Sequence, residues 1–134
     1  MMTELREAAC GSVVAEYRSG PITREMLAQY AEASGDLNPL HLDPAFARKA
    51  GFEDVIAHGM LGMALLGRLL TDNFPAERLR NFNARFAGIV PVGETLRCRA
   101  TLESVEDESA LLSLEASTSS GAVAITGQAR ILMT

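Results

Sequence analysis

Between Met60 and Leu70 this chain carries apolar residues on nearly every face of a helix: Met60, Leu61, Met63, Ala64, Leu65, Leu66, Leu69 and Leu70. A helix that is apolar all round is expected to be buried. It is also well short of the roughly 20 residues that a membrane span needs, and Gly62, Gly67 and Arg68 interrupt it. The remainder of the chain must therefore supply the walls around it. Two glycines inside a helix cost stability, so Gly62 and Gly67 are expected where a sheet or ligand comes close. Asp72-Asn73-Phe74-Pro75 ends the segment.

The walls are legible downstream. Phe82, Ala84 and Phe86 alternate with polar residues, as do Leu96, Cys98, Ala100 and Leu102, then Leu112, Leu114 and Ala116, while Val123, Ile125, Gly127, Ala129 and Ile131 alternate with Ala124, Thr126, Gln128 and Arg130. A period of two marks half-buried antiparallel strands. Turns at Pro91-Val92-Gly93, Glu106 to Ser109 and Ser119-Ser120-Gly121 are short enough to join them as a four-strand meander. Val13 to Tyr17 adds a strand ahead of the helical middle. The expectation is an α+β fold, a curled antiparallel sheet around a central apolar helix, in one domain over residues 1–134. So short a sheet leaves open edges, and pairing two of them across a two-fold axis would cover one.

Between the first strand and the apolar helix, Thr23 reads as an N-cap and Met26, Leu27, Tyr30, Ala31 and Ala33 as a one-sided helical stripe. Gly35 closes that helix as a C′ glycine. Asp43-Pro44 opens a short helix over Ala45 to Ala50, closed by Gly51. Asp36 and His41 thus sit on a turn pinned between two helix ends. A carboxylate and an imidazole can together hold a water and move its proton. His58-Gly59 opens the apolar helix, where a backbone N–H and the helix dipole can meet developing negative charge.

Each residue also has a plainer role. Asp36 alone suits a turn, His41 alone a structural contact, and His58 a cap or brace at the helix start. Asp36, His41 and Asp43 lack a familiar metal-ligand spacing, so no metal is expected. The two cysteines, Cys10 and Cys98, stand apart and read as reduced apolar packing. A net charge of −5 disfavours nucleic acid. The charged N-terminus lacks a signal-peptide pattern, so a cytoplasmic protein with no membrane association is expected. Arg48, Lys49, Arg78, Arg80 and Arg85 could offer local positive charge to an anionic ligand or simply solvate the surface.

The string Ser34-Gly35-Asp36-Leu37-Asn38-Pro39-Leu40-His41-Leu42-Asp43-Pro44 closely resembles the hydratase 2 motif of the MaoC-like hotdog proteins. Ile56-Ala57-His58-Gly59-Met60 and the stretch from Asn83 to Glu94 are similar to that family's central-helix entry and following strand. These are (R)-specific enoyl-CoA hydratases and (3R)-hydroxyacyl thioester dehydratases. The resemblance implies a hotdog fold, homodimeric or paired with a related hotdog subunit, acting on an acyl-CoA or acyl-carrier-protein thioester without a cofactor. It implies Asp36 and His41 as the catalytic dyad and Gly59 N–H as an oxyanion donor. Asn38, His58, Met60 and Arg85 are implied to bind substrate or brace the site. One departure is Gly67, where some relatives carry a serine that contacts the catalytic water. Rivals are a non-catalytic acyl-binding partner subunit, a polyketide-tailoring dehydratase or isomerase, and a hotdog thioesterase.

Overall fold

A computed structural model describes residues 2–133, with side chains from Leu5 onward. In order, the chain forms α1 (Met2–Glu7), β1 (Val13–Arg18), α2 (Arg24–Ser34), a 3-10 turn (Pro39–His41), α3 (Pro44–Lys49) and α4 (Gly59–Asn73). A second 3-10 turn (Ala76–Arg78) then leads into β2 (Leu79–Phe86), followed by β3 (Leu96–Glu106), β4 (Ser109–Thr118) and β5 (Val123–Leu132). The local signals explain the helix ends. Thr23 accepts from Met26 N–H at 3.1 Å, and Asp43 accepts from Ala45 and Phe46 N–H ahead of Pro44. Gly35 ends α2 in the left-handed conformation, φ 79°, which favours glycine.

All described strands pair antiparallel in one sheet of order β1-β3-β4-β5-β2. The expected four-strand meander is therefore corrected. Only β3-β4-β5 is a meander; β2 crosses to the far edge and pairs with β5, and Pro91-Val92-Gly93 does not close a hairpin. Alternation says which face a residue takes and nothing about which strand lies next to it. Each of the four ladders has a register shift, at Val13/Ala15, Leu79/Asn81, Leu102/Ser104 and Ala116/Ser117. Such irregularities bend and twist a sheet, and this one curls around α4.

The core lies between them. Leu61, Leu66, Leu69 and Leu70 of α4 meet Leu96, Cys98, Ala100 and Leu102 of β3, with Leu112 and Leu114 from β4 and Ile125 and Ile131 from β5. Each fully buried leucine contributes roughly 2 kcal/mol relative to exposure. This is the helix-in-a-curled-sheet of the hotdog fold. One expectation needs amendment. Helix α4 is not buried all round, for Met60 is 54 % exposed and Ala64 is open, because the sheet covers only part of its circumference. The charged N-terminal stretch forms α1 and buries Leu5 against the core.

Glycine marks close approaches in this packing. A Cβ on Gly62 would lie 2.5 Å from Cδ1 of Ile125, so β5 needs this gap in α4. A Cβ on Gly127 would collide with the backbone oxygen of Asn83 on β2. Gly67 differs: a side chain there would reach Phe82 at 3.5 Å, an ordinary contact.

Candidate active site

Local hydrogen bonds shape the loop after α2. Asp36 N–H donates to Ser34 Oγ at 3.2 Å, Asn38 N–H donates to Asp36 Oδ1 at 3.3 Å, and Leu40 N–H donates to Asn38 Oδ1 at 3.0 Å. Asn and Asp side chains favour this kind of turn because they substitute for backbone acceptors. The loop then enters the 3-10 turn, which carries His41 inward.

His41 is fixed by a contact the sequence does not announce. Its Nδ1 lies 2.7 Å from the carbonyl oxygen of Ile56, which can only accept, so Nδ1 carries the proton. In the neutral ring this leaves Nε2 with its lone pair, and Nε2 lies 3.9 Å from Asp36 Oδ2. That is too long for a direct hydrogen bond and leaves room for a small molecule to bridge the two acceptors. The Asp36 side chain is 51 % exposed and that of His41 only 12 %. The pair is therefore open on the carboxylate side and walled in on the imidazole side.

His58, 2 % exposed, supports both. Its ring stacks on His41 with centroids 3.9 Å apart, Tyr30 meets it edge-on at 4.9 Å, and its Nε2 donates to the backbone oxygen of Asp36 at 3.1 Å. His58 occupies the N-cap position of α4 but makes no side-chain capping bond, so it braces the loop rather than the helix. Asp36, His41 and His58 bring ligating atoms within 4.8 Å of one another. The two imidazoles stack face to face, so their in-plane lone pairs run side by side instead of meeting at one point. With two of the ring nitrogens already turned to backbone carbonyls, this is a poor metal-ligand set.

Immediately beyond His58, the first N–H groups of α4 have no intrahelical acceptor. Gly59 lines a cavity of about 190 Å³ together with His41, His58 and Gly62. Phe86, Ile89 and Val90 form one wall, and the cavity closes inward on Leu96 and Ile125, both almost fully buried. A Cβ on Gly59 would press 3.2 Å from the ring of Phe86. The site thus combines two water-binding acceptors, a helix N-terminus and an apolar sleeve closed at its inner end.

The other sequence candidates fall elsewhere. Met60 is exposed and not part of the cavity lining. Arg85 lies with Thr101, Ser113 and Gln128 around a shallow depression away from this cavity, while its neighbour Phe86 turns toward the site. Gly67 does not line the cavity; the glycine of α4 that does, besides Gly59, is Gly62. Arg78 and Arg80 stand at the opposite end of β2 from Phe86. Cys98 is buried in β3, and burial pushes its thiol up to about 11, so it packs as a small apolar group. The sequence does not mark Ile56, Tyr30 and Phe86 as site residues. Their contributions are a backbone carbonyl and ring packing, for which residue type carries no signal.

The family described as MaoC like domain matches residues 7–123. The chain belongs to this family. Among curated proteins, an (R)-specific enoyl-CoA hydratase from Aeromonas caviae is 35 % identical over 107 residues, covering 77 % of this chain and 80 % of that protein. A mitochondrial 3-hydroxyacyl-[acyl-carrier-protein] dehydratase from Arabidopsis thaliana is 38 % identical over 86 residues, 64 % of this chain, and the match spans about half of that protein, 51 %. Among solved structures, the (R)-hydratase from A. caviae involved in PHA biosynthesis superposes with a TM-score of 0.84 at 30 % identity. It covers 96 % of this chain and 99 % of its own.

Proposed function

We propose that this MaoC-like chain, acting as one domain over residues 1–134, hydrates trans-2-enoyl thioesters to (R)-3-hydroxyacyl thioesters and catalyses the reverse dehydration. The observation that carries the reading is convergence: Asp36 Oδ2 and His41 Nε2 face each other across 3.9 Å beside the free N-terminus of α4. Similarity to proteins named as hydratases and dehydratases supports the same chemistry.

In this mechanism a water donates one hydrogen to Asp36 Oδ2 and the other to His41 Nε2, which aims its oxygen lone pair at C3 of the enoyl group. The Gly59 N–H, reinforced by the α4 dipole, donates to the thioester oxygen and makes C3 electrophilic. As the C3–O bond forms, the C2=C3 π pair moves toward C2 and the thioester oxygen gains charge. The dyad takes one proton from the water and one proton is returned to C2. The elements of water are then added and the dyad ends as it began. Asn38 keeps the turn closed under Asp36, and His58 holds the Asp36 backbone and the His41 ring in register. The acyl chain occupies the sleeve toward Leu96 and Ile125.

We also propose that the working unit is a dimer, of two copies or with a related hotdog subunit. The open outer edge of β2 and the exposed Met60, Phe86 and Ile89 support this. No helix among the described residues is long and apolar enough to cross a membrane, and a cytoplasmic site of action is proposed. Product analysis tests the activity. With crotonyl-CoA, loss of the conjugated enoyl band with an (R)-3-hydroxyacyl product and no free thiol is expected. Release of free thiol would replace this reading with thioester hydrolysis.

A further inference from the structure

The outer face of the sheet carries a small polar pocket of about 200 Å³, where β1 ends, β3 begins and β4 turns into β5. Strand register builds it. Arg18 of β1 lies directly opposite Arg97 of β3, and Arg97 lies opposite Ser117 of β4, so these three stand in a row across three strands. Like charges placed opposite each other destabilise a sheet. Glu16 relieves only one of the two arginines. Its Oε1 accepts from Arg97 Nε at 2.6 Å, while among the described residues no carboxylate forms an ion pair with Arg18. That hydrogen bond, then the fields of Arg97, Arg99 and last of all Arg18, hold the Glu16 carboxyl below its ordinary range. Arg99 is matched by Glu115 at 3.6 Å, and Glu94 accepts from both the N–H and the hydroxyl of Ser119. The hydroxyls of Thr95 and Ser117 make no hydrogen bond among the described residues, although Ser117 is buried. The pocket is left with a surplus of donors: one unpaired guanidinium, the terminal nitrogens of a second, and two hydroxyls.

We propose that this pocket binds a phosphate group, as free phosphate or as a small phosphomonoester. Its lining is arginine, threonine, serine and glycine, so it offers no wall to a carbon chain, whereas a tetrahedral oxyanion presents an oxygen to every side. A guanidinium gives such a group two parallel N–H donors, and hydroxyls meet the oxygens that remain. A net charge of −5 gives the chain no general attraction for anions, so binding rests on this local arrangement. The pocket shares no lining residue with the dyad cavity. Leu96 separates them: its buried side chain lines the cavity on the inner face of β3, while its neighbours Thr95 and Arg97 line the pocket on the outer face. The site is therefore independent of the thioester chemistry proposed above, and its test needs no turnover.

Calorimetric titration tests it, with inorganic phosphate and with glycerol 3-phosphate, at pH 7 and an ionic strength held constant with sodium chloride. Wild type is expected to bind one phosphate group per chain. Either order of affinity supports the site, and the tighter ligand names its source. Arg18→Ala removes the unpaired guanidinium from an exposed strand position and weakens binding about tenfold. Ser117→Ala deletes a single hydroxyl and weakens it about threefold. Arg80→Ala removes a charge from the exposed start of β2, away from the pocket, and leaves the affinity unchanged. A wild-type Tm without phosphate shows that each variant is folded. Heat that never saturates in wild type would overturn the site, as would equal losses in Arg18→Ala and Arg80→Ala, which would leave only screening of surface charge. Unchanged affinity in both Arg18→Ala and Ser117→Ala would overturn the assignment to this pocket. Displacement of bound phosphate by butyryl-CoA would overturn a site separate from the thioester.

Discussion

The loop that carries Asp36 and the wall that closes the acyl sleeve are held by opposite kinds of force. From Ser34 to Phe46 the Ser, Asp and Asn side chains accept from backbone N–H groups two or three residues away. The wall is made by residues far apart in sequence, Gly62 of α4 under Ile125 of β5, and the sheet that carries it is packed in the same way, with Gly127 of β5 against the backbone of β2. A locally stitched loop can present reactive groups with its side chains half open to solvent. A wall built by packing has no such freedom, since a single added carbon has nowhere to go. His41 and His58 join the two regions, because each reaches across by a ring nitrogen to a backbone oxygen 15 or 22 residues away. The difference predicts that wall substitutions act on stability first, while loop substitutions act on turnover first.

The largest stability effect is expected at Gly127. In Gly127→Val the new side chain meets the Asn83 backbone, which cannot move without breaking the β2-β5 ladder. We expect a loss of about 3 kcal/mol or more and a fall of roughly 10 °C in Tm by thermal unfolding. An unchanged Tm would break the claim that the sheet carrying the wall is rigid.

Gly62→Ala comes next. The obstacle here is the tip of a side chain, Cδ1 of Ile125, so the expected cost is smaller, about 2 kcal/mol by denaturant unfolding. Adding Ile125→Val removes the atom in the way. The double variant should then be less destabilised than the sum of the singles, a coupling that sharpens the contact to one methyl group.

The smallest effect lies on the surface, at the Arg24–Asp54 pair. The hydrogen bond from Arg24 lowers the Asp54 pKa below its ordinary value of 3.8. A depressed carboxylate adds stability that is fully present above that ordinary value and is lost as pH falls through the folded value. Wild type and Arg24→Ala should therefore differ slightly in stability at neutral pH, and the difference should vanish in strong acid and shrink at high salt. A difference that grows on acidification would reverse the assignment.

The same contrast explains what could be seen in the sequence. The loop was legible because its bonds are local: Thr23, Gly35, Asn38, Asp43 and Pro44 each act on backbone within a few residues, and each residue type suits only a few local geometries. The burial of Leu61, Leu66 and Leu69 was legible for the same reason, from helical period. The strand order was not, since Phe82 and Ala84 alternate in the same way whether β2 lies beside β3 or β5. Nor was the partner of His41, because any residue in place of Ile56 presents the same carbonyl. The open side of α4 also escaped, since Met60 and Ala64 have the apolar character of their buried neighbours.

The account turns on Asp36 and His41 gripping one water, and their substitution in the enoyl-band assay tests that most directly. Asp36→Asn and His41→Ala, compared with wild type on crotonyl-CoA, should lose about a thousandfold or more in kcat while keeping the wild-type Tm and circular dichroism. Turnover near the wild-type rate in either folded variant would contradict it.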